Sequence, residues 1–310
     1  MQDDPVLHRL KLRELRVLLA VTEAGSMAKA ATQLAISQPA VSRAIADMEA
    51  SLGVSLFDRG PQGVKPTPYG RALINRSVAV FDELRQGVTE IKFIADPTAG
   101  EVRIAGSSTM VVGLIAAVID RLSRRYPRIS FHVVTTEPAM LDRELRERKV
   151  DFIITVAPVN EEEMDVETLY DDQMVVVAAA KNPWTRRRRF ELAELANEPW
   201  ALPAPDSGWG TAVARAFRAN GMEPPRATVT SSSSPLRNVL LATGRFLTVV
   251  HESHLHFPER HPSLKVLPVD LSTTRRPTRI ITLKGRTLSP AARLFIECAR
   301  EVAKPLAKRK

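Results

Sequence analysis

The 310-residue sequence contains a single cysteine, Cys298. That excludes an internal disulfide and any zinc site built from several thiolates, and it fits a reducing compartment. No run of about 18 apolar residues occurs, the length an α-helix needs to cross a bilayer; the nearest candidate, Met174–Ala180, suits a buried strand. The N-terminus lacks the uninterrupted apolar core of a secretion signal, since Asp3, Asp4 and scattered arginines interrupt it. The expectation is a cytoplasmic protein with no membrane segment. A glycine-rich phosphate loop, a nucleophile–base–orienter set and a metal cluster are also missing, so neither catalysis nor a cofactor is expected. Apolar residues make up 44% and charged residues 25%, which excludes wholesale disorder. The net charge of +9 points to an anionic partner such as nucleic acid or an acidic ligand. The basic excess is not concentrated at the N-terminus: residues 1–70 hold eight lysines and arginines against seven acids.

The first 60 residues read as three helices. Leu12, Leu15, Leu18 and Leu19 repeat at helical spacing until Gly25, and Ser26–Leu34 is a short alanine-rich helix. Ala35-Ile36-Ser37 is a tight connection, and Gln38–Leu52 carries Val41, Ile45, Met48 and Leu52 on one face before Gly53 ends it. Gly60, Pro61, Gly63, Pro66 and Pro68 then punctuate a loop whose flanks can pair as a two-stranded wing. Thr67 and Pro68 suit the N-cap and first turn of a long helix, free of proline from Tyr69 to about Ala95. Its apolar line through Leu73, Val80, Leu84 and Ile91 needs a partner helix, so these four are the candidate dimerisation residues. Asp96–Gly100 breaks the pattern and reads as a hinge.

After Gly100 strands and helices alternate. Strands are expected at Glu101–Ala105, Ile129–Thr135, Phe152–Val156, Met174–Ala180, Arg226–Thr230, Phe246–Val250, Lys265–Val269 and Arg279–Leu283. Helices are expected at Val111–Arg125, Met140–Arg148, Glu191–Ala196, Thr211–Asn220, Leu236–Thr243 and Pro290–Ala303. The alternation argues for βαβ units and mainly parallel sheets, in two lobes with a ligand cleft between them. The expected organisation is a mainly α winged helix-turn-helix over 1–67, a linker and dimerisation helix with hinge over 68–99, and an α/β two-lobed domain over 100–310. Lobe 1 covers about 100–160 and 267–310, and lobe 2 about 161–266.

The helical trio has helix-turn-helix geometry, so the third helix can enter a DNA major groove. At its start Ser37, Gln38, Pro39, Ser42 and Arg43 are candidates to meet base edges or phosphates, and Arg59 and Lys65 in the wing to hold the backbone. In the two-lobed part, Ser107, Ser108 and Thr109 sit between a strand and a helix start. There they either cap the helix or bind a carboxylate or phosphate. Thr136 ends the next strand on the same edge. Trp209, in Ser207-Gly208-Trp209-Gly210, either stacks on a ligand or packs in the rim, and Thr248 is a further candidate cleft residue. Other motifs are better read as structure. Ser26-x-x-Lys29 lies in the second helix, and His251–His256 misses a metal motif by one residue and reads as a polar loop or interface. Arg186–Arg189 reads as a solvated loop, and Cys298 as an inert core thiol.

Leu12–Gly70 resembles the DNA-binding domain of the LysR-type transcriptional regulators. The similarity rests on Ser26, Ala28, Ala30, Ala31, Leu34, the run Ser37-Gln38-Pro39-Ala40-Val41-Ser42, Ile45, Glu49, Leu52-Gly53, Leu56-Phe57, Arg59 and Thr67-Pro68-x-Gly70. The long helix is similar to the family's dimerising linker helix. The remainder resembles its effector domain, of the type-2 periplasmic-binding-protein fold, with Leu240–Val250 at the family's helix–glycine–strand position and His251 where proline is more usual. The resemblance implies a homodimer or homotetramer that binds a dyadic double-stranded operator, and a small-molecule effector that changes its grip on DNA; the hydroxyls at the helix start favour a small anion as that effector.

Overall fold

In a computed structural model, residues 10–60, 63–257 and 263–307 are described. Asp3, Asp4, Arg9 and Pro61 lie outside these residues. The chain divides into two compact units at Gly87–Val88.

The first unit begins with α1 (Leu12–Ala24), α2 (Met27–Leu34) and α3 (Gln38–Leu52). Gly25 and Gly53 end α1 and α3 in the left-handed conformation, and Ala35 adopts it after α2 at φ 53°. Leu18, Val21, Ala30, Val41, Ile45 and Met48 close a common core. The strands β1 (Phe57–Gly60) and β2 (Gly63–Pro66) form an antiparallel wing. The long helix α4 (Pro68–Ala95) follows.

The start of α4 is fastened to the end of α3's loop. Thr67 Oγ1 donates to the Ser55 carbonyl at 2.7 Å and accepts from the Gly70 amide at 3.0 Å, which makes it the helix cap. A side chain at position 70 would place its Cβ 2.0 Å from the Leu56 carbonyl oxygen, so only glycine permits this approach. Leu73, Ile74 and Phe81 then pack on the helix-turn-helix core. Leu73 is therefore not part of an open face, as the spacing alone implied; the core of its own unit holds it. The face that stays open carries Val80, Leu84, Val88, Ile91 and Ile94, from 38% to 74% exposed, with exposed Gly87 among them.

The second unit runs through β3 (Ala99–Gly106), α5 (Ser108–Met110), a π-helical turn (Val111–Ile115), α6 (Ala116–Arg125), β4 (Arg128–Thr135), α7 (Pro138–Arg146), β5 (Phe152–Thr155) and β6 (Met164–Asp172). It continues with β7 (Met174–Ala179), β8 (Ala201–Leu202), α8 (Gly208–Ala219), β9 (Val229–Thr230), α9 (Ser234–Ala242), β10 (Leu247–His251), β11 (Leu264–Val266), β12 (Arg276–Leu283) and α10 (Pro290–Ala307). The expected helix at Glu191–Ala196 is a 3-10 turn, Leu192–Leu195. A five-stranded sheet has the order β4-β3-β5-β12-β6, and a three-stranded sheet the order β10-β7-β11. The expected parallel pairing is met only in part: the five-stranded sheet is mixed and the three-stranded sheet is antiparallel. β3 runs parallel to β4 and β5, but β12 enters antiparallel between β5 and β6, and both neighbours of β7 are antiparallel to it.

β6 pairs along β12 in the five-stranded sheet, so the chain passes to the second sheet at Gln173, later than the boundary near 160 that the sequence implied. All six residues of β7 are buried. Met174, Val176 and Ala178 face one core with Val213 and Phe217 of α8, and Val175 and Val177 face another with Leu241 of α9. That period-two split explains why the strand is apolar throughout. Among the described residues no helix is long and apolar enough to cross a membrane.

Replacing Gly70 with alanine is expected to destabilise the chain by about 1–3 kcal/mol, the usual cost of overpacking. Chemical denaturation checks this, and an unchanged midpoint would remove the Gly70–Leu56 approach as a constraint.

Candidate functional site

Two surfaces carry the candidate residues. On the first unit, Ser37 caps α3 by accepting the Ala40 amide at 3.3 Å. Pro39 sits in the first turn, where a missing amide hydrogen costs nothing. Val41, Ile45 and Met48 turn inward, which leaves Ser37, Gln38, Pro39 and Arg43 exposed and Ser42 half-buried. Glu49, late in α3, accepts the Leu56 amide at 2.7 Å and lies 4.0 Å from Arg59 on the wing. The wing is thus tied to the helix that precedes it, with Arg59 and Lys65 exposed. The surface offers the positive end of a helix, a glutamine, hydroxyls and cations. Those groups bind phosphates and read base edges.

In the second unit a cleft of about 910 Å³ opens between the two sheets. Ser107, Ser108, Thr109, Thr136 and Trp209 all line it. Ser107 stands at the cap position of its helix without a side-chain cap bond. Ser108 Oγ donates to Ser234 Oγ at 3.3 Å, from the five-stranded side to the start of α9. Trp209 is positioned by its neighbours. Ser207 Oγ donates to the Ala204 carbonyl at 2.6 Å and accepts the Gly210 amide at 3.0 Å. A Cβ on Gly210 would lie 1.9 Å from the Ala204 oxygen. The glycine lets α8 start against this turn, with Trp209 on the cleft wall.

Thr248 is not on the cleft wall. It is buried within β10, and its hydroxyl donates to the Ala201 carbonyl at 2.6 Å, a bond that joins β10 to β8. The residue that reaches the cleft from this strand is His251, at its last position. Its ring lies 4.6 Å from that of Trp209 between centroids. His251 Nδ1 is 3.6 Å from Asp172 Oδ2 and makes no hydrogen bond. Asp172 itself accepts from the amides of Gln173 and Ser253 at 3.0 and 3.1 Å and from Ser253 Oγ at 2.5 Å. Serine here bonds the carboxylate, not the imidazole, so the three do not form a nucleophilic relay.

Sequence reasoning missed the cleft's charged groups. Arg215, Arg237 and Arg276 line it against one acid, Glu137, among the described residues. The signal for Arg237 was a lone charged residue in α9, SPLRNVLLA. The two remaining features are ordinary. Arg187 stacks over Trp184 at 4.8 Å and pairs with Glu194 at 2.8 Å in an exposed loop, and half-buried Cys298 has its thiol pKa pushed up by burial.

The chain matches two family models: "Bacterial regulatory helix-turn-helix protein, lysR family" over residues 12–71, and "LysR substrate binding domain" over residues 95–304. It is 30% identical to the regulator GbpR of Azospirillum brasilense, over 94% of this chain and 86% of that protein. It is also 30% identical to the RuBisCO operon transcriptional regulator of Allochromatium vinosum, over 93% and 95% of the two chains. Among solved structures, a full-length OxyR variant from Pseudomonas aeruginosa superposes with a TM-score of 0.69 at 22% identity, covering 98% of this chain and 99% of that one. Full-length CbnR in complex with its target DNA gives 0.62 at 20% identity, covering 94% and 100%.

Burial pushes the His251 pKa below its ordinary value of 6.5, against an opposing pull from Asp172. A folded-state pKa below the unfolded one means the folded chain binds fewer protons there. The stability contributed by neutral His251 is full above the unfolded pKa and is lost as pH falls through the folded one. Melting temperature is expected to drop on acidification from about pH 7 to pH 5, and more shallowly in His251→Asn. Parallel profiles for the two proteins would contradict this.

Proposed function

The chain belongs to the LysR family of transcriptional regulators, and from that premise we propose that it reads a dyadic promoter site as a homodimer or homotetramer in the cytoplasm, and that a small anion in the cleft of the second unit changes its grip on DNA. The observation that carries this reading is the exposed start of α3: Ser37, Gln38, Pro39 and Arg43, with half-buried Ser42, beside a wing that offers Arg59 and Lys65. Arginine and glutamine can bind base edges bidentately, and the serines suit phosphates or bases. The target DNA in the CbnR complex supports the same role for this head.

The open face of α4 supports the oligomer. Five large apolar side chains from Val80 to Ile94 stand in solvent around Gly87. A stripe of that width gains stability when a second helix covers it, and the glycine leaves room for close approach. Val80, Leu84 and Ile91 are its dimerisation residues. A two-fold symmetric dimer matches a palindromic site with half-sites one helical turn, or a multiple, apart. Modulation needs only a ligand with different affinity for two conformations of the regulator. Ser107, Ser108, Thr109, Thr136 and Trp209 are the effector contacts in this reading, and the arginine excess in the cleft selects an anion.

A gel-shift titration on the DNA flanking the protein's own gene tests the head. Arg43→Ala or Ser42→Ala is expected to weaken binding by about 1–3 kcal/mol where the residue contacts a base; unchanged affinity would remove it from the interface. Leu84→Glu puts a charge in the centre of the α4 face and is expected to shift the sedimenting species toward monomer. A normal oligomer would refute that face as the interface.

A further inference from the structure

Arg237 is 9% exposed, lines the cleft, and has no carboxylate within ion-pair distance among the described residues. Its guanidinium donates to the Ser231 carbonyl and, at 3.1 Å, to Ser234 Oγ, both neutral groups. Burial alone pulls its pKa down, with no acid opposing the shift. The same fold treats its other buried arginine differently: Arg286, 7% exposed, pairs with Asp151 at 3.3 Å. Taking a cation out of water without a counter-charge is costly, and proteins ordinarily pair or neutralise such groups. An anion entering the cleft supplies the missing charge.

The rest of the wall describes the remainder of that anion. Val156, Pro158, Met174, Pro203, Trp209 and Ala212 make it largely apolar. The volume of about 910 Å³ lies near the top of the range for organic ligands; a bare inorganic ion would leave most of it empty. Arg215 and Arg276, both exposed at the cleft, add a positive field for approaching anions. We propose that the effector is an organic acid whose carboxylate pairs with Arg237 and whose apolar body lies along Trp209. The head group also reaches the link between the lobes. Ser234 Oγ accepts from both Ser108 and Arg237, so a carboxylate paired with the guanidinium sits beside the hydroxyl bond that links α9 to the five-stranded side. This deepens the effector reading above and rests on it.

The test uses the full chain and matched probes at equal ionic strength: sodium benzoate and sodium hexanoate, their neutral amides, and inorganic phosphate. Thermal shift and tryptophan fluorescence are read for the parent, Arg237→Gln and Arg237→Lys. The carboxylates are expected to raise the melting temperature and change the fluorescence saturably, while the amides and phosphate do neither. Arg237→Gln is expected to weaken the carboxylates about tenfold or more, Arg237→Lys to retain part of the affinity, and the ligand-free Gln variant to melt no lower than the parent. Amides that bind as well as acids would overturn the proposal. So would phosphate that matches the acids, no carboxylate effect on the parent at about 20 mM, or a Gln variant within twofold of the parent. A gel shift run in parallel separates the two levels: carboxylate binding through Arg237 in a chain that binds no DNA would defeat the regulatory reading and leave this one standing.

Discussion

The close approach of α4 to the Leu56 carbonyl is the constraint on which the first unit depends. Gly70 allows it, and Thr67 locks it by binding the Ser55 carbonyl and the Gly70 amide together. Leu73, Ile74 and Phe81 then bury against the helix-turn-helix core, so the DNA-reading head and the first turns of the long helix move as one body. Glu49 completes the assembly by holding the wing to α3. In the proposed dimer, the helix that covers the open face of α4 sets where the second head stands, so half-site spacing follows from helix packing.

The second unit is built for a different purpose. The chain passes between its two sheets where β6 leads to β7 at Gln173 and where β11 leads to β12. Asp172 ties the first of these crossings to the turn after β10 through the amides of Gln173 and Ser253. The cleft wall nearby carries His251 in tilted contact with Trp209. Across the cleft a hydroxyl pair at 3.3 Å stands beside a buried guanidinium that has no carboxylate partner among the described residues. In the proposed mechanism, a ligand that binds one lobe arrangement better than another shifts the balance between them.

Local signals in the sequence marked the reading head well. Ser37 and Pro39 before the apolar face, and Gly53 after it, bound α3 at the residues where the helix begins and ends. The α/β alternation was equally visible. Strand direction was not, because it depends on β12 returning from late in the chain to lie between β5 and β6, and on the two distant partners of β7. Leu73 and Thr248 show the limit of spacing arguments. Both fall on plausible faces, yet the first is claimed by its own unit's core and the second by the Ala201 carbonyl. Hydroxyls at strand ends and a tryptophan at a helix start were legible as cleft residues. Arg237 was not, because what distinguishes it is a missing counter-charge, a property of three-dimensional surroundings.

The most direct measurement is selection from random duplexes by the purified full-length chain, followed by sequencing of the bound pool. The account predicts enrichment of an inverted repeat whose half-site centres lie one helical turn, or a whole multiple, apart. Folded protein that enriches no motif, or only a single unpaired half-site, would contradict it.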